Sequence, residues 1–162
     1  MESEISVELI NRIKKESKGS VYEFIAITVF FLFIGVNIYF EARGLSRTLI
    51  ALFEISFYCY YMYLNTIRKN KIINRTITEI FIEEDHCTFV TSDAYLFHLI
   101  YKPALSIKVV HKDLVLELTN YPLNKMFGHT GKVYRLADEG EDYYFMSEFF
   151  NPDLENKLMV LS

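Results

Sequence analysis

Two long apolar runs lie close together in the first half of the chain, and the link between them has only three charged residues, Glu41, Arg43 and Arg47. The first run extends over 21–42 and the second over 48–67. Each reaches the roughly 20 residues with which a helix crosses about 30 Å of hydrocarbon. The runs therefore predict a transmembrane helical hairpin near the N-terminus.

A helical hairpin buried inside a soluble domain is the alternative. Two helices that are apolar on nearly every face would then need protein on all sides, and the rest of the chain is too polar to supply it. Four basic residues precede the first run and four follow the second, against two in the link. The positive-inside rule then predicts a multi-pass protein of the bacterial inner membrane with both termini cytoplasmic.

Two shorter segments flank the hairpin, which occupies 21–67. Segment 1–20 places Ile5, Leu9 and Ile13 at helical spacing among charged residues, which predicts an amphipathic helix. That helix is expected either to lie in the membrane interface or to pack on the C-terminal domain. Segment 68–75 is a basic juxtamembrane stalk.

Residues 76–162 predict a cytoplasmic, strand-rich domain. Its short runs of β-branched and aromatic residues predict strands near Ile77–Glu83, Cys87–Thr91, Tyr95–Tyr101, Leu105–His111, Leu114–Thr119, Lys132–Ala137 and Tyr143–Ser147.

Turn and cap residues indicate how these elements connect. Lys112 and Asp113 predict a tight hairpin between the fourth and fifth strands, and Gly140 predicts a second hairpin. Asn151 as a cap, followed by Pro152, predicts a short C-terminal helix. The expected fold class is an α+β membrane protein: a transmembrane hairpin followed by a small antiparallel β-barrel or rolled sheet with a C-terminal helix.

Composition excludes several functions. The strand-rich domain has 14 acidic residues against 7 basic ones, so nucleic acid is not an expected partner. The two cysteines and four histidines show no zinc spacing. The segment Gly128–Lys132 fails as a phosphate loop, because Met126 stands at the first glycine position. We expect no catalytic residues, no metal and no cofactor, and hence no enzymatic activity.

Glu54 is a carboxylate inside the second apolar run, where an anion is costly unless it meets protein or water. In an antiparallel hairpin, residues whose numbers sum to about 90 lie at similar depth, which pairs Asn37 with Glu54 and Gly35 with Ser56. The polar pair would be an intramembrane contact, and the two small residues would let the helices pack closely. The pair is expected to lock one hairpin, to join hairpins of several copies, or to line a conducting path.

The order of two apolar helices, short strands and a terminal helix resembles bacterial antiphage effectors with two transmembrane helices and a strand-rich sensor domain. It is also similar to two-helix membrane proteins with a bacterial pleckstrin-homology-like domain. The first resemblance implies a non-enzymatic effector that responds to a cytoplasmic protein or small-molecule trigger. Its hairpins would form homo-oligomers in the lipid bilayer and impair membrane integrity. The alternatives are a membrane-anchored binding module and an immunity protein against a membrane-active toxin.

Overall fold

The structure is a computed structural model that describes residues 2–41, 44–96, 100–119 and 131–161. Its helices are α1 (Val7–Glu41), α2 (Leu45–Met62), α3 (Lys69–Ile73) and α4 (Pro152–Leu161), with a π-helix at Tyr63–Arg68 between α2 and α3. Its strands are β1 (Glu2–Ile5), β2 (Ile77–Ile82), β3 (His86–Thr91), β4 (Ala94–Leu96), β5 (Ile100–Lys102), β6 (Ser106–Val110), β7 (Leu116–Thr119), β8 (Val133–Asp138) and β9 (Glu141–Met146). The α+β class is confirmed.

The strands divide among three antiparallel sheets, of order β1-β2-β3-β6, β4-β5 and β7-β8-β9. An isolated parallel bridge between Thr76 and Tyr144 links the first and third sheets, where Tyr144 donates its backbone N–H to the Arg75 carbonyl at 2.9 Å. The expected small barrel or single rolled sheet is therefore wrong for the described strands. The chain changes sheet between β6 and β7 instead of continuing one curved ladder.

Of the two predicted hairpins, one is present and one is not. β8 and β9 pair from Val133↔Met146 to Asp138↔Glu141, around a turn at Glu139 and Gly140. In contrast, β6 pairs with β3 and β7 pairs with β8. A 3-10 turn at His111–Asp113 and the buried Leu114 redirect the chain between them. The tight hairpin expected at Lys112 and Asp113 is thus wrong.

The N-terminal segment belongs to the β domain. β1 pairs antiparallel with β2, and the Ser6 hydroxyl accepts the Leu9 backbone N–H at 3.3 Å as α1 begins. Leu9 and Ile13 are buried in the same core as Phe89 and Phe145. Of the two expected placements for an amphipathic N-terminal helix, the structure shows the one packed on the domain.

The two apolar runs become the outer part of α1 and most of α2. α1 has 35 residues and is one continuous helix from the core of the β domain to the far end of the hairpin. Its first half carries Glu8, Arg12 and Glu16. α2 has 18 residues, about 27 Å of helix, and includes Arg47 and Glu54.

The transmembrane expectation is not supported by these helices. In the ranges that the structure describes, no helix combines the length and apolar character needed to cross a membrane. The predicted transmembrane hairpin and the multi-pass inner-membrane location with cytoplasmic termini are therefore wrong. The second apolar run extends to residue 67, but α2 ends at Met62 and the π-helix follows it.

Candidate functional site

α1 and α2 pack antiparallel along one face of each helix. The Phe31 ring lies 5.4 Å from the Tyr58 ring and 5.9 Å from the Phe57 ring, centroid to centroid. The hydroxyls of Thr28 and Tyr58 are 3.0 Å apart. The chain reverses after Gly44, whose φ of 62° is in the left-handed region that glycine tolerates.

Glu54 turns its carboxylate toward α1 at Gly35. A Cβ placed on Gly35 would lie 3.5 Å from Glu54 Oε2, an ordinary van der Waals contact, so the carboxylate lies directly against this position of α1. The other oxygen, Oε1, is buried and accepts no hydrogen bond from any residue that the structure describes. A buried acceptor without a partner costs about 1–3 kcal/mol, and more when it is charged. Glu54 can therefore accept a hydrogen bond from a donor that the described residues do not supply.

The structure brings together Glu54 and Gly35 from the sequence-based set, but not Asn37 or Ser56. Asn37 is exposed and its amide donates to the Phe33 carbonyl of its own helix at 2.7 Å. Ser56 is exposed as well. Residues two apart are separated by about 200° around a helix, so Gly35 and Asn37 do not share a face, and neither do Glu54 and Ser56. Of each predicted pair, only one residue, Glu54 or Gly35, therefore lies on the face where the two helices meet.

A groove of about 530 Å³ opens between the two helices around Glu54. Its walls include Thr28, Phe31 and Gly35 from α1, and Glu54, Ile55 and Tyr58 from α2. Sequence reasoning identified neither Thr28 nor Tyr58 as a residue of the site. Their spacing could have identified them. Thr28 and Gly35 are seven residues apart and Glu54 and Tyr58 are four apart, so each pair lies on one face of its helix.

The hydrogen bonds of the groove have a definite direction. Thr28 Oγ1 donates its only proton to the Phe24 carbonyl at 2.8 Å. The Tyr58 hydroxyl must therefore be the donor in its contact with Thr28. With both hydroxyl protons used, the polar atoms that Thr28, Glu54 and Tyr58 offer to the groove are acceptors only.

The outer faces of the hairpin are exposed and apolar. On α1, large side chains repeat every three or four residues and form a stripe about 27 Å long, the α1 stripe: Tyr22, Ile25, Val29, Phe33, Val36 and Phe40. On α2, a matching α2 stripe comprises Leu49, Phe53, Phe57 and Tyr60. Phe53 is 71% exposed, and its ring stacks on Phe57 at 6.4 Å.

The β domain offers less for chemistry. His86 is buried; its Nδ1 hydrogen-bonds the Asp85 carboxylate, and its Nε2 lies 3.5 Å from the Glu83 carboxylate. The hydrogen bond from His86 holds the pKa of Asp85 below its usual value. Burial raises the pKa of Cys87 to about 11, so the thiol stays protonated at neutral pH.

No metal site is evident in the part of the chain that the structure covers, where no three His, Cys, Asp or Glu side chains cluster. His98, His129 and most of the Gly128–Lys132 segment lie outside the described residues.

Comparisons with protein-family models, curated proteins and solved structures gave no match for this chain.

Proposed function

We propose that this protein is a non-enzymatic, self-associating binding protein. Hairpins of two or more copies pack through their exposed stripes, and the β domain binds the protein or small molecule that controls this association. The observation that carries the proposal is the pair of exposed apolar stripes on α1 and α2. A monomer rarely leaves so much contiguous apolar surface in contact with water.

A second copy is the partner that these stripes fit. The stretch from Phe24 to Phe40 contains no charged residue, so nothing on it selects a charged partner. A two-helix antiparallel hairpin is also half of a four-helix bundle, and a two-fold axis would place identical stripes against each other. The matching surface is then present at the same concentration as the protein itself.

The magnitudes also favour association. Burying an exposed Phe, Leu or Val side chain contributes about 1.5–3 kcal/mol. The six side chains of the α1 stripe are 51–78% exposed and then supply about 6–12 kcal/mol per copy, against an association cost of about 4–15 kcal/mol for the complex. Burial of the α2 stripe adds further favourable free energy to the association.

The role of the β domain rests on its charge and its connection to the hairpin. Its sequence from 76 to 162 is acidic, which suits a partner of basic or neutral surface. α1 enters the core of this domain at Leu9 and Ile13 and continues into the hairpin. Binding at the β domain would thereby bias how hairpins of neighbouring copies meet, as expected of an effector that responds to a trigger.

Sedimentation velocity of the purified protein over a range of concentrations tests the association. We expect a mass of at least two chains for the wild type, and a shift toward one chain for the double variant Phe33→Glu with Phe53→Glu. The control is Val160→Glu, which introduces one such carboxylate at an exposed apolar residue of α4, outside the stripes. A wild-type protein that stays a single chain at all concentrations, or a double variant that associates like Val160→Glu, would contradict the proposal.

A further inference from the structure

We propose that the groove between α1 and α2 binds an apolar organic cation, a protonated amine with a hydrocarbon or aromatic body, whose ammonium group lies at Glu54. The groove shares Val36 and Phe40 with the α1 stripe. The proposal rests on Glu54 and the groove around it, and not on the association of the hairpins or on the trigger of the β domain.

The size and lining of the groove suit a small amphiphile. Its volume of about 530 Å³ lies within the roughly 300–1,000 Å³ of small-molecule sites. Most of its surface comes from aliphatic and aromatic side chains, among them Phe31, Leu32 and Ile55. A ligand with a compact apolar body therefore fits this groove in size and in polarity.

The polar groups of the groove select a cationic donor. Among the described residues that line the groove, only Glu54 is charged, and the Oε1 atom of its carboxylate is a buried acceptor that none of them satisfies. The Thr28 hydroxyl donates its proton to the Phe24 carbonyl and the Tyr58 hydroxyl donates its proton to Thr28, so both oxygens offer the groove only acceptors. An anionic ligand would be repelled, and a neutral one would leave the carboxylate charge uncompensated.

The geometry also gives the ammonium group a second set of partners. Glu54 and Tyr58 are one helical turn apart, so a cation between them meets the carboxylate and the phenolic oxygen together. The rings of Phe31 and Tyr58 both line the groove, edge to face at 5.4 Å, and aromatic rings attract a nearby cation. A primary ammonium with three N–H donors fits this set better than a hydroxyl with one.

Isothermal titration calorimetry with three probes of equal chain length tests the site: n-octylammonium, n-octanol and octanoate. We expect octylammonium to bind with one site per chain and at least tenfold more tightly than octanol, with no measurable binding of octanoate. Equal affinity of octylammonium and octanol would overturn the proposal, because a purely apolar surface would explain it.

Two variants locate the cation. Glu54→Gln should weaken octylammonium binding at least tenfold and leave octanol unchanged. Glu23→Gln removes an exposed carboxylate of the same hairpin and should change neither. Circular dichroism verifies that both variants keep their helices. Unchanged octylammonium affinity in Glu54→Gln, or an equal loss in Glu23→Gln, would show that the general negative charge of the chain attracts the probe.

Discussion

Glu139 is the one described non-glycine residue with a left-handed backbone, at φ 48°, and Gly140 follows at φ 80°. Two consecutive residues with positive φ form the type I′ turn that fits the twist of a two-residue hairpin. A residue with a Cβ pays about 1–2 kcal/mol for this conformation, whereas asparagine tolerates it better. The turn between β8 and β9 is therefore strained at a single residue.

We expect Glu139→Asn to raise the free energy of unfolding by about 0.5–1 kcal/mol, because Asn-Gly is the preferred pair for this turn. Urea denaturation monitored by circular dichroism measures the change. Gly140→Ala is the matched control and should lower stability, since it adds a Cβ at φ 80°. A Glu139→Asn variant no more stable than the wild type would show that the turn is not strained at this residue.

At the scale of elements, one carboxylate ties α4 to the third sheet. Tyr134 of β8 donates its hydroxyl to Glu155 Oε1 at 2.6 Å, and Lys132 Nζ lies 3.0 Å from the same oxygen. The hydrogen bond from Tyr134 is the largest cause that lowers the pKa of Glu155, and Lys132 adds to it. Lys132 is 63% exposed, so its ion pair contributes less than the hydrogen bond of the buried tyrosine.

We expect Tyr134→Phe to lower the free energy of unfolding at pH 7 by about 1 kcal/mol, and Lys132→Ala to lower it by less than about 0.5 kcal/mol. A depressed carboxyl pKa stabilises the fold above its unfolded value, 4.5, and this contribution is lost as the pH falls through the folded value. The difference between wild type and Tyr134→Phe should therefore shrink in urea titrations below about pH 4.5. A difference that is the same at pH 7 and pH 3 would exclude a role for the Glu155 charge.

Local signals predicted the elements well. Alternating apolar residues placed β2, β3, β8 and β9 within a few residues of their ends, and the α4 cap is confirmed by the Asn151 side chain, which accepts the Asp153 backbone N–H at 3.0 Å. These features depend on residues close in sequence.

Pairings between distant residues were not predicted. β1 was read as part of a helix because its ladder with β2 joins residues about 75 apart, and nothing local reports such a contact. In the candidate site, matching the residues of two antiparallel helices by depth placed Glu54 near residues 35–37. This matching did not predict which face of α1 Glu54 contacts. The Thr28–Tyr58 hydrogen bond, which sets the donor pattern of the groove, depends on the same unpredicted rotation of the helices.

At the scale of the whole molecule, α1 joins the β domain to the hairpin as one continuous helix. Arg12 near the start of this helix places its guanidinium over the Phe149 ring at 4.9 Å. In the preceding strand β1, the Glu4 side chain accepts the Asn151 backbone N–H before α4. Lys69 of α3 donates to Glu16 Oε2 at 2.9 Å and fastens the return of the chain to the same helix. We expect these contacts to carry a displacement of the β domain along α1 to the groove and the stripes.

This coupling requires that the start of α1 contributes to the stability of the β domain, in whose core Leu9 and Ile13 are buried. Leu9 is fully buried there, so we expect Leu9→Ala to lower the free energy of unfolding by about 2–5 kcal/mol. Val7→Ala, on the same helix but 64% exposed, should change it by less than about 0.5 kcal/mol. Urea denaturation followed by tyrosine fluorescence measures both, since the β domain holds Tyr134, Tyr143 and Tyr144 in its core. A Leu9→Ala variant as stable as Val7→Ala would mean that the β domain folds without α1, and the hairpin would then lose its mechanical link to that domain.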